Sequence, residues 1–128
     1  MKRRTLLAAS TAIALLAQAG IAAADVIKIG VLAPVSGAQA ADGQEMVNGA
    51  QLAVDELNAA GGVAGHTFEL VVGDVVDGAA DKVTTAAERL LGDRDMGAIM
   101  TGYASGSNFE IELMAEMDMI YMVSANSS

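Results

Sequence analysis

Four short apolar strand-like runs alternate with three stretches of helical periodicity, and this alternation constrains the fold more than any other feature of the chain. Val26 to Ala33 is a β-branched run stopped by Pro34, as expected of a mostly buried strand. From Gln44 to Ala60 the period changes. Met46, Ala50, Ala53 and Leu57 fall on one helical face with Val47 and Val54 beside them, and Gly61-Gly62 supply the left-handed residues that end such a helix. Thr67 to Val72 alternates as a second strand, with Phe68, Leu70 and Val72 on one side. Asp81 to Leu91 is a helix with Val83, Ala86, Ala87, Leu90 and Leu91 inward, closed by Gly92. Met96 to Thr101 is a third strand, Asn108 to Met117 a helix, and Met119 to Val123 a fourth strand. The order β-α-β-α-β-α-β with short connections implies an α/β fold, a doubly wound parallel sheet with helices on both faces. No helix follows the fourth strand to cover it, so the chain reads as part of a longer protein.

The first 24 residues stand outside this pattern. Lys2-Arg3-Arg4 is a basic start, Leu6 to Leu16 an apolar stretch rich in Leu and Ala, and Ala22-Ala23-Ala24 a small-residue cleavage site. Residues 1–24 therefore read as a signal peptide cleaved after Ala24, and residues 25–128 as the exported domain. Gln18, Gly20 and the small-residue end argue against a membrane anchor. The Arg3-Arg4 pair loosely resembles a twin-arginine signal. The 104 residues that remain suffice for one small domain.

Charge and composition then exclude whole classes of function. The chain holds 16 acidic residues and 7 basic ones, a net −9, and loss of the three N-terminal basic residues leaves −12. Phosphate backbones and anionic membranes would repel such a domain, so nucleic acid is excluded as a partner. A hydrophobic content of 53% opposes disorder. Without cysteine there is no disulfide, no thiolate and no Cys-type zinc site; a single histidine, His66, rules out a multi-histidine metal site. No metal and no cofactor are expected. His66 follows Gly65 and reads as a solvated turn residue, while Met96, Met100, Met114, Met117, Met119 and Met122 read as core filling.

In open α/β sheets ligands bind at the carboxyl ends of the strands. Here that edge is made by residues 34–43, 73–78, 102–107 and 124–128. Gly102-Tyr103-Ala104-Ser105-Gly106-Ser107-Asn108 offers backbone approach, two hydroxyls and a helix cap. A carboxylate there would gain about 0.3–2 kcal/mol from the helix end. An ordinary Ser/Gly turn carries the same residues, and composition does not separate the two. The loop is not a nucleophile elbow, because Ser105 is displaced by one position and no histidine follows. It contains neither a dinucleotide fingerprint nor a Walker lysine. Asp74 ends a strand as a phosphoacceptor would, but an exported chain meets no cytoplasmic kinase.

Several stretches taken together resemble the periplasmic leucine/isoleucine/valine-binding proteins, the branched-chain amino-acid group of ABC-importer solute-binding proteins. They are residues 27–31, Val35-Ser36-Gly37, 48–65 with its Asn-Ala-x-Gly-Gly-x-x-Gly ending, Glu69-Leu70-Val71 with Asp74, 98–102 and 120–125. The resemblance implies a type I periplasmic binding protein fold, with residues 25–128 forming part of the N-terminal lobe. It implies a ligand between two lobes, with its carboxylate held by Ser105, Gly106 and Ser107 and its ammonium by Ala125 and Ser127. It places Asp42 where the first loop usually lines the side-chain pocket, often with an aromatic residue; Tyr103 joins these candidates. The family's frequent cysteine pair is absent, and Asp77-Gly78 replaces a proline. The implied function is non-enzymatic capture of an amino acid or similar small molecule for an ABC permease in the periplasm. The alternative is the sensory ligand-binding domain of a receptor with this fold. An exported enzyme is disfavoured, because no nucleophile–base pair can be built.

Overall fold

In the computed structural model, residues 25–102 and 109–124 are described. The elements run β1 (Asp25–Ala33), a single 3-10 turn (Gly37–Gln39), α1 (Ala40–Ala59), β2 (His66–Asp74), α2 (Ala80–Leu91), β3 (Met96–Thr101), α3 (Phe109–Glu116) and β4 (Ile120–Val123). The four strands form one parallel sheet in the order β2-β1-β3-β4. Ile29 pairs with Leu70 on one side and Ala98 on the other, so β1 is central. The chain first steps from β1 to β2, then crosses back over β1 to β3 and continues to β4. With right-handed crossovers, that reversal moves the helices from one face to the other. Accordingly α1 packs on β1 and β2, whereas α2 and α3 touch each other across the opposite face.

The larger core lies on the α2/α3 face and joins Leu32, Val75, Val83, Ala86, Ala87, Leu90, Met96, Ile99 and Met114. Its tightest fit depends on two glycines. A Cβ on Gly30 would come 2.9 Å from Leu90 Cδ1, and one on Gly73 would come 3.2 Å from the same atom. Leu90 therefore lies in a trough that larger residues in either strand would fill. On the other face, Val31 and Ala33 of β1 and Val54 of α1 are buried.

Several expectations need correction. Helix α1 starts at Ala40 rather than Gln44, because a 3-10 turn runs directly into it and shortens the first loop. Its inward face carries Gly43 and Val54 as the buried residues, with Met46, Val47, Ala50 and Asn58 half-buried. Ala53 and Leu57, expected inward, are exposed; Leu57 keeps 43% of its surface and Leu52 60%. The sheet covers the Gly43, Val47 and Val54 side of the apolar stripe, and the small alanines on its other side give little contrast to fix the orientation from periodicity. Among the methionines, Met96 and Met114 are core and Met100 and Met119 half-buried, but Met117 and Met122 are exposed. Met122 and Ile120 lie on the α1 side of the sheet, beyond the reach of α1. His66 is not a solvated turn residue. It opens β2, half-buried, with Nδ1 withdrawn from solvent and without a hydrogen-bond partner.

The end of α1 has a second role. Gly61 and Gly62 adopt positive φ (96° and 78°), and Gly62 N–H donates to Leu57 O at 2.9 Å, closing the helix. This turn holds Asn58 against β2. Its Nδ2 donates to Phe68 O and its Oδ1 accepts from Phe68 N–H, both at 2.8 Å. Because β2 is an edge strand, one side-chain amide substitutes there for a missing neighbour strand. Asn58→Ala should lower the unfolding free energy by about 1–3 kcal/mol in a denaturant titration, the cost of two unmade hydrogen bonds on a half-buried backbone. Unchanged stability would show that water satisfies Phe68 equally well.

Candidate functional site

The reversal of winding leaves a gap at the carboxyl ends of β1 and β3, since the loops leaving them turn to opposite faces. Side chains fix the backbone on every side of that gap. On the left, Asp74 at the end of β2 reaches across to the loop after β1. Its Oδ2 accepts from the Ser36 hydroxyl at 2.6 Å, and its Oδ1 from Val35 N–H at 3.1 Å and Val76 N–H at 2.9 Å. The Ser36 hydrogen bond, followed by the backbone donors, holds the Asp74 carboxyl below its ordinary value against the opposing effect of burial. The same contacts hold Val76 at φ +57°, a left-handed conformation unusual for a β-branched residue. A Cβ on Gly37, at φ +76°, would meet Val76 O at 3.4 Å.

On the right, Thr101 Oγ1 donates to Leu32 O at 3.1 Å, tying the ends of β3 and β1 together inside the sheet. Ser124 N–H donates to Thr101 O at 3.1 Å, and its hydroxyl to Gly102 O at 2.7 Å. Between the two sides stands Met46 of α1, whose Sδ accepts from Gly102 N–H at 3.1 Å. A Cβ at Gly102 would collide with that thioether, and one at Gly43 with the Pro34 carbonyl. The first turns of α1 therefore press directly on the ends of β1 and β3.

Of the residues singled out in the sequence, Asp42 sits exposed in the first turn of α1 rather than in a loop, a consequence of the earlier helix start. Tyr103, Ser105, Gly106, Ser107, Ala125 and Ser127 lie outside the described residues. Their anchors, Gly102 and Ser124, are described and bonded to each other. The Ser36–Asp74 link spans 38 positions, and no local pattern announces such a contact. Met46 was read only as a core residue. Among the described residues no group of three or more His, Cys, Asp or Glu side chains converges as a metal site requires. Nor is any of their helices long and apolar enough to cross a membrane.

The Asp74 contacts give a signed pH dependence. A carboxyl whose folded value is depressed stabilises the fold fully above its unfolded value, about pH 4, and the contribution is lost as pH falls through the lower folded value. Asp74→Asn should therefore cost about 1–2 kcal/mol at neutral pH. The gap between variant and parent should close in acid unfolding curves below about pH 4. A gap that stays constant into acid would show that the charge contributes nothing.

Comparison with known proteins agrees with this geometry. A family model described as "Periplasmic binding protein" matches residues 26–128. The Leu/Ile/Val-binding protein homolog 8 of Brucella suis is 39% identical over 114 residues, which are 89% of this chain and 28% of the relative. Homolog 7 of Brucella melitensis is 40% identical over 104 residues, 81% of this chain and 25% of the relative. Two solved structures share the fold. The branched-chain amino acid transporter substrate binding protein LivJ from Streptococcus pneumoniae, in complex with isoleucine, superposes with a TM-score of 0.72 at 27% identity, covering 81% of this chain and 30% of that one. The leucine binding protein LivK from Thermotoga maritima does so with a TM-score of 0.68 at 26% identity, covering 80% and 28%. This chain thus spans a quarter to a third of the length of the relatives it matches. A parallel sheet wound both ways from β1, together with a family match over nearly all of the chain after residue 25, places it in the periplasmic binding protein family.

Proposed function

We propose that this chain supplies part of the N-terminal lobe of an exported, two-lobed solute-binding protein. That protein captures an amino acid or similar small molecule between its lobes and delivers it to an ABC import permease. The observation that carries the reading is the switch in winding at the ends of the neighbouring strands β1 and β3, where open α/β sheets take ligands and where Asp74, Met46, Thr101 and Ser124 hold the backbone. A site fixed before the ligand arrives avoids the ordering cost of binding. The names of the relatives support leucine, isoleucine and valine as the first ligands to test.

In this reading residues 1–24 direct export and are removed after Ala24. Ser105, Gly106 and Ser107 take the ligand carboxylate, Ala125 and Ser127 its ammonium, and Asp42 and Tyr103 line the approach to its side chain. One lobe alone encloses only half of a ligand, whereas small-molecule sites bury about 70–90% of the ligand surface. Tight binding therefore requires the second lobe.

Calorimetric titration of the two-lobed protein with L-leucine, L-isoleucine and L-valine tests this. The expected result is saturable binding to at least one of them, weakened about tenfold, or 1.4 kcal/mol, by joint replacement of Ser105 and Ser107 with alanine. Affinity unchanged in that double variant would remove the carboxylate assignment. No binding to any small amino acid would remove the ligand class.

A further inference from the structure

Glu110 is 4% exposed, yet it carries a carboxylate and stands in the first turn of α3. An ionised carboxylate withdrawn from water is costly unless it is hydrogen-bonded. Glu110 has its partner in β4: the Tyr121 hydroxyl donates to its Oε2 at 2.6 Å. The helix end at its own backbone also favours negative charge. Burial, and then the bond to Glu110, keep the Tyr121 phenol protonated well above its ordinary range. The phenol thus joins β4 to the first turn of α3.

The Glu110–Tyr121 bond is set in apolar surroundings. Met114 lies one turn beyond Glu110 and is 1% exposed, Ile99 is fully buried, and Leu113 and Met119 pack beside them. Apolar residues at both positions would fill the same space without the desolvation cost, and replacing both partners of a buried polar pair in this way is often neutral or stabilising. What an apolar pair lacks is direction. An 8-residue helix resting on methionine and leucine alone can slide, because these side chains adapt to many arrangements. A 2.6 Å bond to a phenol fixed in a strand permits one.

We propose that Glu110 and Tyr121 are positioning residues for the ligand-binding edge: their bond locks the first turn of α3 to β4 and so sets where α3 begins relative to the ends of β1 and β3. Neither residue touches the ligand. The functional part rests on the reading of that edge as the ligand site, while the lock itself does not.

Amide hydrogen exchange and calorimetry on Tyr121→Phe, Glu110→Ala and Glu110→Gln, in the full chain within the two-lobed protein, test both parts. In Tyr121→Phe and Glu110→Ala, the α3 amides should exchange roughly tenfold faster while those of β1, β2 and α2 keep their rates. Affinity for L-leucine should fall about fivefold in the same two variants. Glu110→Gln, which keeps an acceptor for the phenol, should restore both. Unchanged α3 exchange would overturn the lock. Faster exchange with full L-leucine affinity would overturn the positioning role, as would a Glu110→Gln variant no better than Glu110→Ala. A parent protein that binds no small amino acid would instead refute the ligand assignment, and the exchange rates would still decide whether the lock exists.

Discussion

The handedness of β-α-β crossovers governs this structure. Having stepped from β1 to β2 with α1 on one face, the chain can return to β3 only by carrying α2 to the other. The loops leaving β1 and β3 must then diverge, and a gap opens where two neighbouring strands end. Nothing in the gap's existence depends on particular side chains. It follows from strand order, and any sequence that folds into β2-β1-β3-β4 with right-handed connections acquires it.

Side chains decide what the gap becomes. Left to themselves, two diverging loops would be mobile, with exposed backbone and few buried contacts. Here the first loop is tied to Asp74 at the end of β2, and Gly102, where β3 ends, to Met46 in α1 and to Ser124 after β4. Asp74 also holds Val76 in a left-handed conformation that a β-branched residue avoids when free. These ties come from α1 and from both edge strands of the sheet, so the geometry of the edge depends on elements well beyond it. The Glu110–Tyr121 bond adds α3 to the same framework.

The strands, the helix order and the doubly wound topology were legible from the sequence because each rests on local periodicity and on glycines that end helices. Orientation was less legible wherever periodicity had little contrast. Helix α1 carries Met46, Ala50, Ala53, Val54 and Leu57 in one apolar stripe about 100° wide, and only the sheet beneath it shows that burial centres on the Val54 side of that stripe while Ala53 and Leu57 on the other side stay exposed. In the α2 segment, where charged and apolar residues separate cleanly, the inward set was read correctly. The contacts that shape the edge were invisible for another reason. Ser36 to Asp74, Met46 to Gly102 and Tyr121 to Glu110 join residues that become neighbours only after the sheet assembles. The Asn58 amide is similar, since nothing in its helix shows that β2 lacks an outer neighbour.

The central claim is that ligand binds where β1 and β3 diverge. Backbone amide chemical shifts of the two-lobed protein, recorded while L-leucine or L-isoleucine is added, test it most directly. The account predicts that within this chain the largest shifts fall on Val35, Ser36, Gly102 and Ser124, the fixed ends of the loops around the gap. The opposite end of the sheet, where Lys28 pairs with Asp93, should stay unmoved. Shifts concentrated at Lys28, Asp93 and Asp95, or on the outer surface of α1 at Leu52 and Leu57, would contradict it.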